Sequence, residues 1–113
     1  MRRWLTAIPV YNEAAHVESV LAEVRRYSSH ILVVDDGSTD GTDEKLRGII
    51  PALGSGTTAR LTHPRNRGYG AALRSAFDYF LKNDFDILVT MDCDGQHEPS
   101  RIPVLLEALD DCD

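Results

Sequence analysis

An open, mostly parallel α/β sheet is the fold class this 113-residue sequence predicts, on three observations. Four short apolar or β-branched runs, at residues 5–10, 31–35, 60–63 and 87–91, end in loops rich in Pro, Asp or Gly, as buried parallel strands do. Between and after these runs the apolar spacing changes to that of a helix. No β-hairpin signal joins neighbouring runs, so right-handed crossovers through helices are expected.

In order, the first strand ends at the loop "IPVYNE", where Pro9 is expected to stop strand pairing. Val17, Val20, Leu21 and Val24 then fall on one helical face, with Glu18, Glu23, Arg25 and Arg26 elsewhere on the turn. The second strand, "ILVVD", leads to a weaker helix marked by Leu46, Ile49 and Ile50. Thr39 or Asp40 is expected to cap it, Gly48 to loosen it and Pro51 to end it. After the third strand, Ala72, Leu73, Ala76, Phe77 and Phe80 repeat the helical pattern. Ile102, Leu105, Leu106 and Leu109 do so after the fourth.

With 42% hydrophobic residues and no low-complexity tract, the chain reads as one domain spanning 1–113. Its apolar runs, such as "ILVV", fall far short of the roughly 18 residues that span a bilayer, and the N-terminus does not resemble a signal peptide. A cytoplasmic protein is expected. Cys93 and Cys112 form no C-x-x-C pair and are expected to be free thiols. The formal net charge of −6 argues against nucleic acid as a partner, since backbone binding needs clustered Lys and Arg. It is compatible with a diphosphate ligand if a divalent cation lies between the two anions.

In sheets of this class ligands bind outside the carboxyl ends of the strands, which directs attention to the loops beginning at Pro9, Asp35, Pro64 and Asp92. In the first, Asn12 or Glu13 can cap a helix. Tyr11 can stack on a base or simply pack. In the second, "VVDDGSTDGT", turn chemistry needs only one of Asp35 and Asp36, while a carboxylate at a strand end can accept from a ribose hydroxyl or a base N–H. The third, "HPRNRGYGAAL", is not a dinucleotide fingerprint, because position 73 is Leu and the loop follows the third strand. Arg65, Asn66 and Arg67 there are either ligand donors or a solvated basic turn.

The fourth, "MDCDGQH", places Asp92 and Asp94 on the same side of an extended segment, with Gln96 in reach after Gly95. Hard oxygen donors of this kind suit Mg or Mn, which keep positions open for water and phosphate. Cys93 should point away. An acid/base pair is less attractive, since those roles need two different environments and these acids share one loop. His97 is more often a satisfied or solvated side chain than a ligand.

Taken together and in order, "IPVYNE", "VVDDGSTDGT", "NRGYGAAL" and "MDCDGQH" resemble the family 2 glycosyltransferases of the GT-A fold, and among them the polyprenyl-phosphate (dolichyl-phosphate) mannosyl and glucosyl transferases. The resemblance implies inverting transfer of a hexose from a nucleotide diphosphate sugar, of GDP-mannose or UDP-glucose type, to an acceptor such as polyprenyl phosphate at the membrane surface. It implies base and ribose contacts at Pro9, Tyr11 and Glu13, with Asp35 and Asp36 beside them; the reading of the third loop adds Arg65 to the nucleotide site. It makes Asp94 and Gln96 metal ligands and Asp92 a ribose or metal-shell contact, so that Asp92 and Asp94 are the residues closest to catalysis. A polyprenyl phosphate, already anionic, can attack without a protein base.

Members of this family carry further sheet elements and acceptor-side residues, so the sequence is expected to be the N-terminal, donor-binding half, with an unpaired sheet edge open to self-association. A non-catalytic nucleotide-sugar and metal-binding module is the alternative. A phosphoacceptor signalling domain also pairs acids at a strand end, but it needs a later Lys, and none follows Asp92.

Overall fold

The computed structural model describes residues 3–53 and 57–91. Strands β1 (Trp4–Val10), β2 (His30–Asp35), β3 (Thr57–Thr62) and β4 (Ile87–Thr90) form one parallel sheet in the order β3-β2-β1-β4. Helices α1 (Val17–Arg25), α2 (Thr42–Ile49) and α3 (Tyr69–Lys82) supply the crossovers. The chain moves one way across the sheet from β1 to β3 and then returns past β1 to β4. The direction therefore reverses between β1 and β4, and such a reversal opens a crevice at the carboxyl ends of the strands. Among the described residues β3 and β4 each have one neighbour.

Alternation along the strands divides the core in two. Ile8, Val10, Ile31 and Val33 face α1 and α2, where Val17, Leu21, Val24 and Leu46 meet them and Met91 joins the same cluster. Leu5, Ala7, Leu32 and Val34 face α3 through Ala72 and Ala76. Burying each large aliphatic side chain contributes about 1.5–3 kcal/mol, so these two layers dominate the stability of the sheet. The small residues of α3 let that helix lie close over β1 and β2.

Several local expectations are corrected. Pro9 lies within β1, in register with Val34. The Val10 carbonyl accepts from Asp36 N–H on the β2 side, and the Ala7 carbonyl accepts from Met91 N–H on the β4 side. By alternation the missing N–H of Pro9 faces β4, so proline ends only that ladder and leaves the pairing with β2 intact.

α1 begins at Val17, too late for Asn12 or Glu13 to cap it. The Glu13 carbonyl instead accepts from the backbone of His16 and Val17. α2 begins after Gly41, whose φ of +91° no other residue type adopts easily, and Asp40 accepts from Thr42 N–H without being the cap. α2 ends at Ile49, and Pro51 sits in the 3-10 turn Ile50–Leu53, where a missing N–H is tolerated. β3 is longer than its apolar run suggests, because Thr57 and Thr58 pair with His30 and Ile31. The fourth predicted helix, Cys93, Cys112 and His97 lie outside the described residues.

Candidate functional site

The loops after β1 and β2 are laced together by short polar side chains. Asn12, in a left-handed conformation with φ +53°, donates its N–H to Ser38 Oγ (2.9 Å) and accepts Thr39 N–H at Oδ1 (2.7 Å). Glu13 N–H donates to Thr42 Oγ1, Ala14 N–H to Asp40 Oδ2, and Lys45 Nζ to the Ala14 carbonyl. Glu13 itself turns back to His16 Nδ1 at 3.0 Å. This lacing holds Tyr11 at the top of β1 with its side chain half exposed.

The two adjacent aspartates face opposite ways. Asp35 shares the face of Ile31 and Val33, is fully buried, and accepts Ser38 N–H at Oδ1 (3.1 Å). Its Oδ2 is buried without a hydrogen-bond partner among the described residues. Asp36 faces α3 and is saturated: Oδ1 accepts from His63 Nδ1 (2.7 Å) and Arg67 N–H (2.9 Å), Oδ2 from Asn66 Nδ2 (3.1 Å) and Gly68 N–H (2.9 Å). Burial alone would push the Asp36 carboxyl up. The hydrogen bonds from His63, Arg67 and Gly68, with the charge of His63, outweigh that and hold it below the usual carboxylate range. Behind it His63 Nε2 lies 2.8 Å from Ser75 Oγ of α3.

The loop before α3 reaches Asp36 because Gly37 lets it. Gly37 has φ +72°, and a Cβ there would stand 2.2 Å from the Arg65 carbonyl carbon and 2.3 Å from Asn66 N. Two backbones meet at this point with no room for a side chain. The result is a pocket of about 210 Å³ lined by Pro9, Val10, Tyr11, Asp36, Asn66, Tyr69 and Ala72. It combines two aromatic rings, a carboxylate and an amide at the carboxyl ends of β1 and β2, a composition suited to a flat, partly polar ligand.

Of the residues singled out from sequence, Pro9, Tyr11, Asp36 and Asn66 line this pocket. Asp35 and Glu13 stand beside it on the other side of the loop lacing. From the third loop the wall comes from Asn66, while the Arg65 side chain is exposed. Val10, Tyr69 and Ala72 complete the lining and were not expected there from sequence. The aromatic between two glycines in "GYG" was the available signal for Tyr69.

Asp92, Asp94 and Gln96 lie outside the described residues. Among the described residues no cluster of three His, Cys, Asp or Glu side chains is placed to hold a metal. The chemistry of the sequence donor set nonetheless fits a hard divalent cation. It begins directly after Met91, which shares a sheet face with Asp35 and its spare buried oxygen. Such an oxygen is the kind of acceptor that a ligand hydroxyl or a metal-bound water satisfies.

A sequence profile of glycosyl transferase family 2 matches residues 6–113. The chain belongs to this family. It is 38% identical over 112 residues to the polyprenol monophosphomannose synthase of Mycolicibacterium smegmatis, covering 96% of this chain and 42% of that protein. It is 38% identical over 109 residues to the undecaprenyl-phosphate mannosyltransferase of Micrococcus luteus, covering 95% and 44%. Among solved structures, the family 2 chain is similar to the mannosyltransferase PcManGT from Pyrobaculum calidifontis in complex with GDP-Man and Mn2+. There the TM-score is 0.74 at 28% identity, over 83% of this chain and 28% of that one. The fold is thus that of the GT-A glycosyltransferases, as the motifs predicted. The chain spans under half the length of the curated relatives it matches.

Proposed function

We propose that this chain is the nucleotide-sugar-binding half of an inverting hexosyltransferase, with a donor of GDP-mannose or UDP-glucose type and polyprenyl phosphate as acceptor. The observation that carries the reading is the aromatic and carboxylate pocket at the ends of β1 and β2. It occurs in a chain whose structural neighbour was solved with GDP-Man and Mn2+. Relatives named for transfer to polyprenol and undecaprenyl phosphate support the acceptor class.

In this reading the base enters the pocket against the Tyr11 ring, with Pro9 and Ala72 as its apolar floor. The carboxylate of Asp36, with all four of its lone-pair sites used internally, acts on the base through its charge and favours an edge that presents N–H donors. Glu13 and Asp35 stand on the ribose side of the pocket, Asp35 from within the fold, where its side chain is fully buried. Arg65 lies toward the phosphates. Asp94 and Gln96 would hold Mg or Mn, with Asp92 beside them, and the bound ion would supply Lewis-acid neutralisation of charge on the diphosphate leaving group. The anomeric C–O bond to the diphosphate breaks as the acceptor phosphate oxygen bonds to the opposite face of that carbon. The acceptor is a membrane lipid, which places the enzyme at the membrane periphery; among the described residues no helix is long and apolar enough to cross a membrane.

The test is calorimetry with Mn2+ or Mg2+ and a panel of GDP-mannose, UDP-glucose and UDP-N-acetylglucosamine, on wild type and Asp94→Ala. Binding to wild type that requires the cation and disappears in the variant supports the donor site. A folded wild type that binds none of the three contradicts it. A second reading is a module that binds donor without transferring it. Intact donor binding with no hexose reaching polyprenyl phosphate would select it.

A further inference from the structure

Two polar side chains support the pocket without lining it. His63 follows β3 and is 5% exposed, and Ser75 lies in the second turn of α3. They form one row, Ser75 Oγ to His63 Nε2 at 2.8 Å and His63 Nδ1 to Asp36 Oδ1 at 2.7 Å, which ends on a carboxylate that does line it. We propose that His63 and Ser75 are positioning residues for the nucleotide pocket, acting through Asp36 and Asn66; this rests on the donor-site reading above.

The chemistry follows from what each group can donate. With neutral His63, Nδ1–H donates to Asp36 and Nε2 accepts the Ser75 hydroxyl proton. With protonated His63, both ring nitrogens donate and Ser75 Oγ accepts. A hydroxyl serves in either case, so the row survives a change of charge on the imidazole. The order of groups is that of a nucleophilic triad, but the Asp36 oxygens are also occupied in holding Asn66, Arg67 and Gly68, and the ring between them is buried. The row therefore fixes a wall rather than meeting a substrate.

Asn66 depends on it directly. Its side-chain amide donates to Asp36 Oδ2 at 3.1 Å and to the Asp36 carbonyl at 3.3 Å, so its place in the pocket is set by where the carboxylate stands. Without His63, Oδ1 keeps only the Arg67 N–H, so the carboxylate that orients Asn66 is held on that side by one hydrogen bond in place of two.

The titratable groups around Asp36 are His63 after β3, Arg65 and Arg67 before α3, Tyr69 on α3, Tyr11 after β1 and Asp35 in β2. His63 is the one whose side chain bonds the carboxylate and opposes the effect of burial. Its removal therefore moves protonation of Asp36 to higher pH, and the melting of each variant separates this from a general loosening that also frees the carboxylate from Arg67 and Gly68.

The experiment measures Kd for GDP and for UDP, each with Mn2+, from pH 4 to 8, on wild type, His63→Ala, His63→Asn and Ser75→Ala, with melting followed for each. His63→Ala should weaken binding about tenfold at neutral pH, the size seen when an outer support of a ligand-holding group is lost. Its loss of affinity on acidification should also begin at higher pH than in wild type. His63→Asn, which keeps a donor for Asp36, should restore the acid limb, and Ser75→Ala should fall between. Should His63→Ala not fold, the Asn and Ser75 variants decide by the same two readouts. Folded variants with wild-type Kd and an unmoved acid limb overturn the positioning role alone. A wild type that binds neither nucleotide overturns the donor-site reading and this role with it.

Discussion

Asp36 and His63 sit 2.7 Å apart with each side chain only 5% exposed, and the carboxylate also draws in the backbone of Arg67 and Gly68. One side chain at the end of β2 thereby holds the loop that starts α3. Replacing Asp36 with Asn puts an amide where an acceptor is needed and leaves at least one buried donor unmatched. A destabilisation of about 2–4 kcal/mol is expected, read from the urea midpoint of the two proteins.

The same residue sets an acid limit. Its folded-state pKa is depressed, so it contributes stability that is fully present above the unfolded value near 4 and is lost as pH falls through the lower folded value. Asp40, lowered by its hydrogen bond from the Thr42 hydroxyl, acts in the same direction. Stability followed by denaturant titration should be nearly level from pH 7 to about 5 as far as these groups are concerned, and should fall below about 4. In Asp36→Asn the fall should be shallower; an equal slope in both proteins would contradict the assignment.

Gly37 and Gly41 both have positive φ but should respond differently to alanine. At Gly41 the added methyl meets nothing within 4 Å, so the cost is conformational, about 1 kcal/mol. At Gly37 it would meet the backbone of Arg65 and Asn66, which cannot swing aside as a side chain can. Gly37→Ala should cost about 2–4 kcal/mol and weaken nucleotide binding, since Asn66 must move. Comparing the two variants by melting separates strain from collision.

Tyr11 is 46% exposed, so its loss should leave stability within about 0.5 kcal/mol of wild type. If its ring stacks on the base, Tyr11→Ala should weaken nucleotide binding by about 1–2 kcal/mol, roughly five- to thirtyfold, and Tyr11→Phe should retain most of the affinity. Calorimetry on both variants checks this, and unchanged affinity in Tyr11→Ala would remove the residue from the site.

The class of fold was legible because hydrophobic period is a local property. Ile31 to Val34 read as a buried strand, and Val17, Leu21 and Val24 as a helical face, whatever else the chain contains. The strand β3, at the edge of the sheet among the described residues, was read short because its half-exposed threonines carry little apolar signal. The family was legible too, from four ordered motifs, and the family comparison bears it out. Tertiary structure alone decided which neighbouring acid does what. Asp35 and Asp36 are adjacent in sequence, yet the pleat sends them to opposite faces, one to Ser38 and the other to His63, Asn66, Arg67 and Gly68 some thirty positions away. Likewise nothing local says that Pro9 ends one ladder and leaves the other. Hydrogen-bond partners of loop residues depend on which loops the parallel topology brings to the same end of the sheet, and that is settled only when the strands have paired.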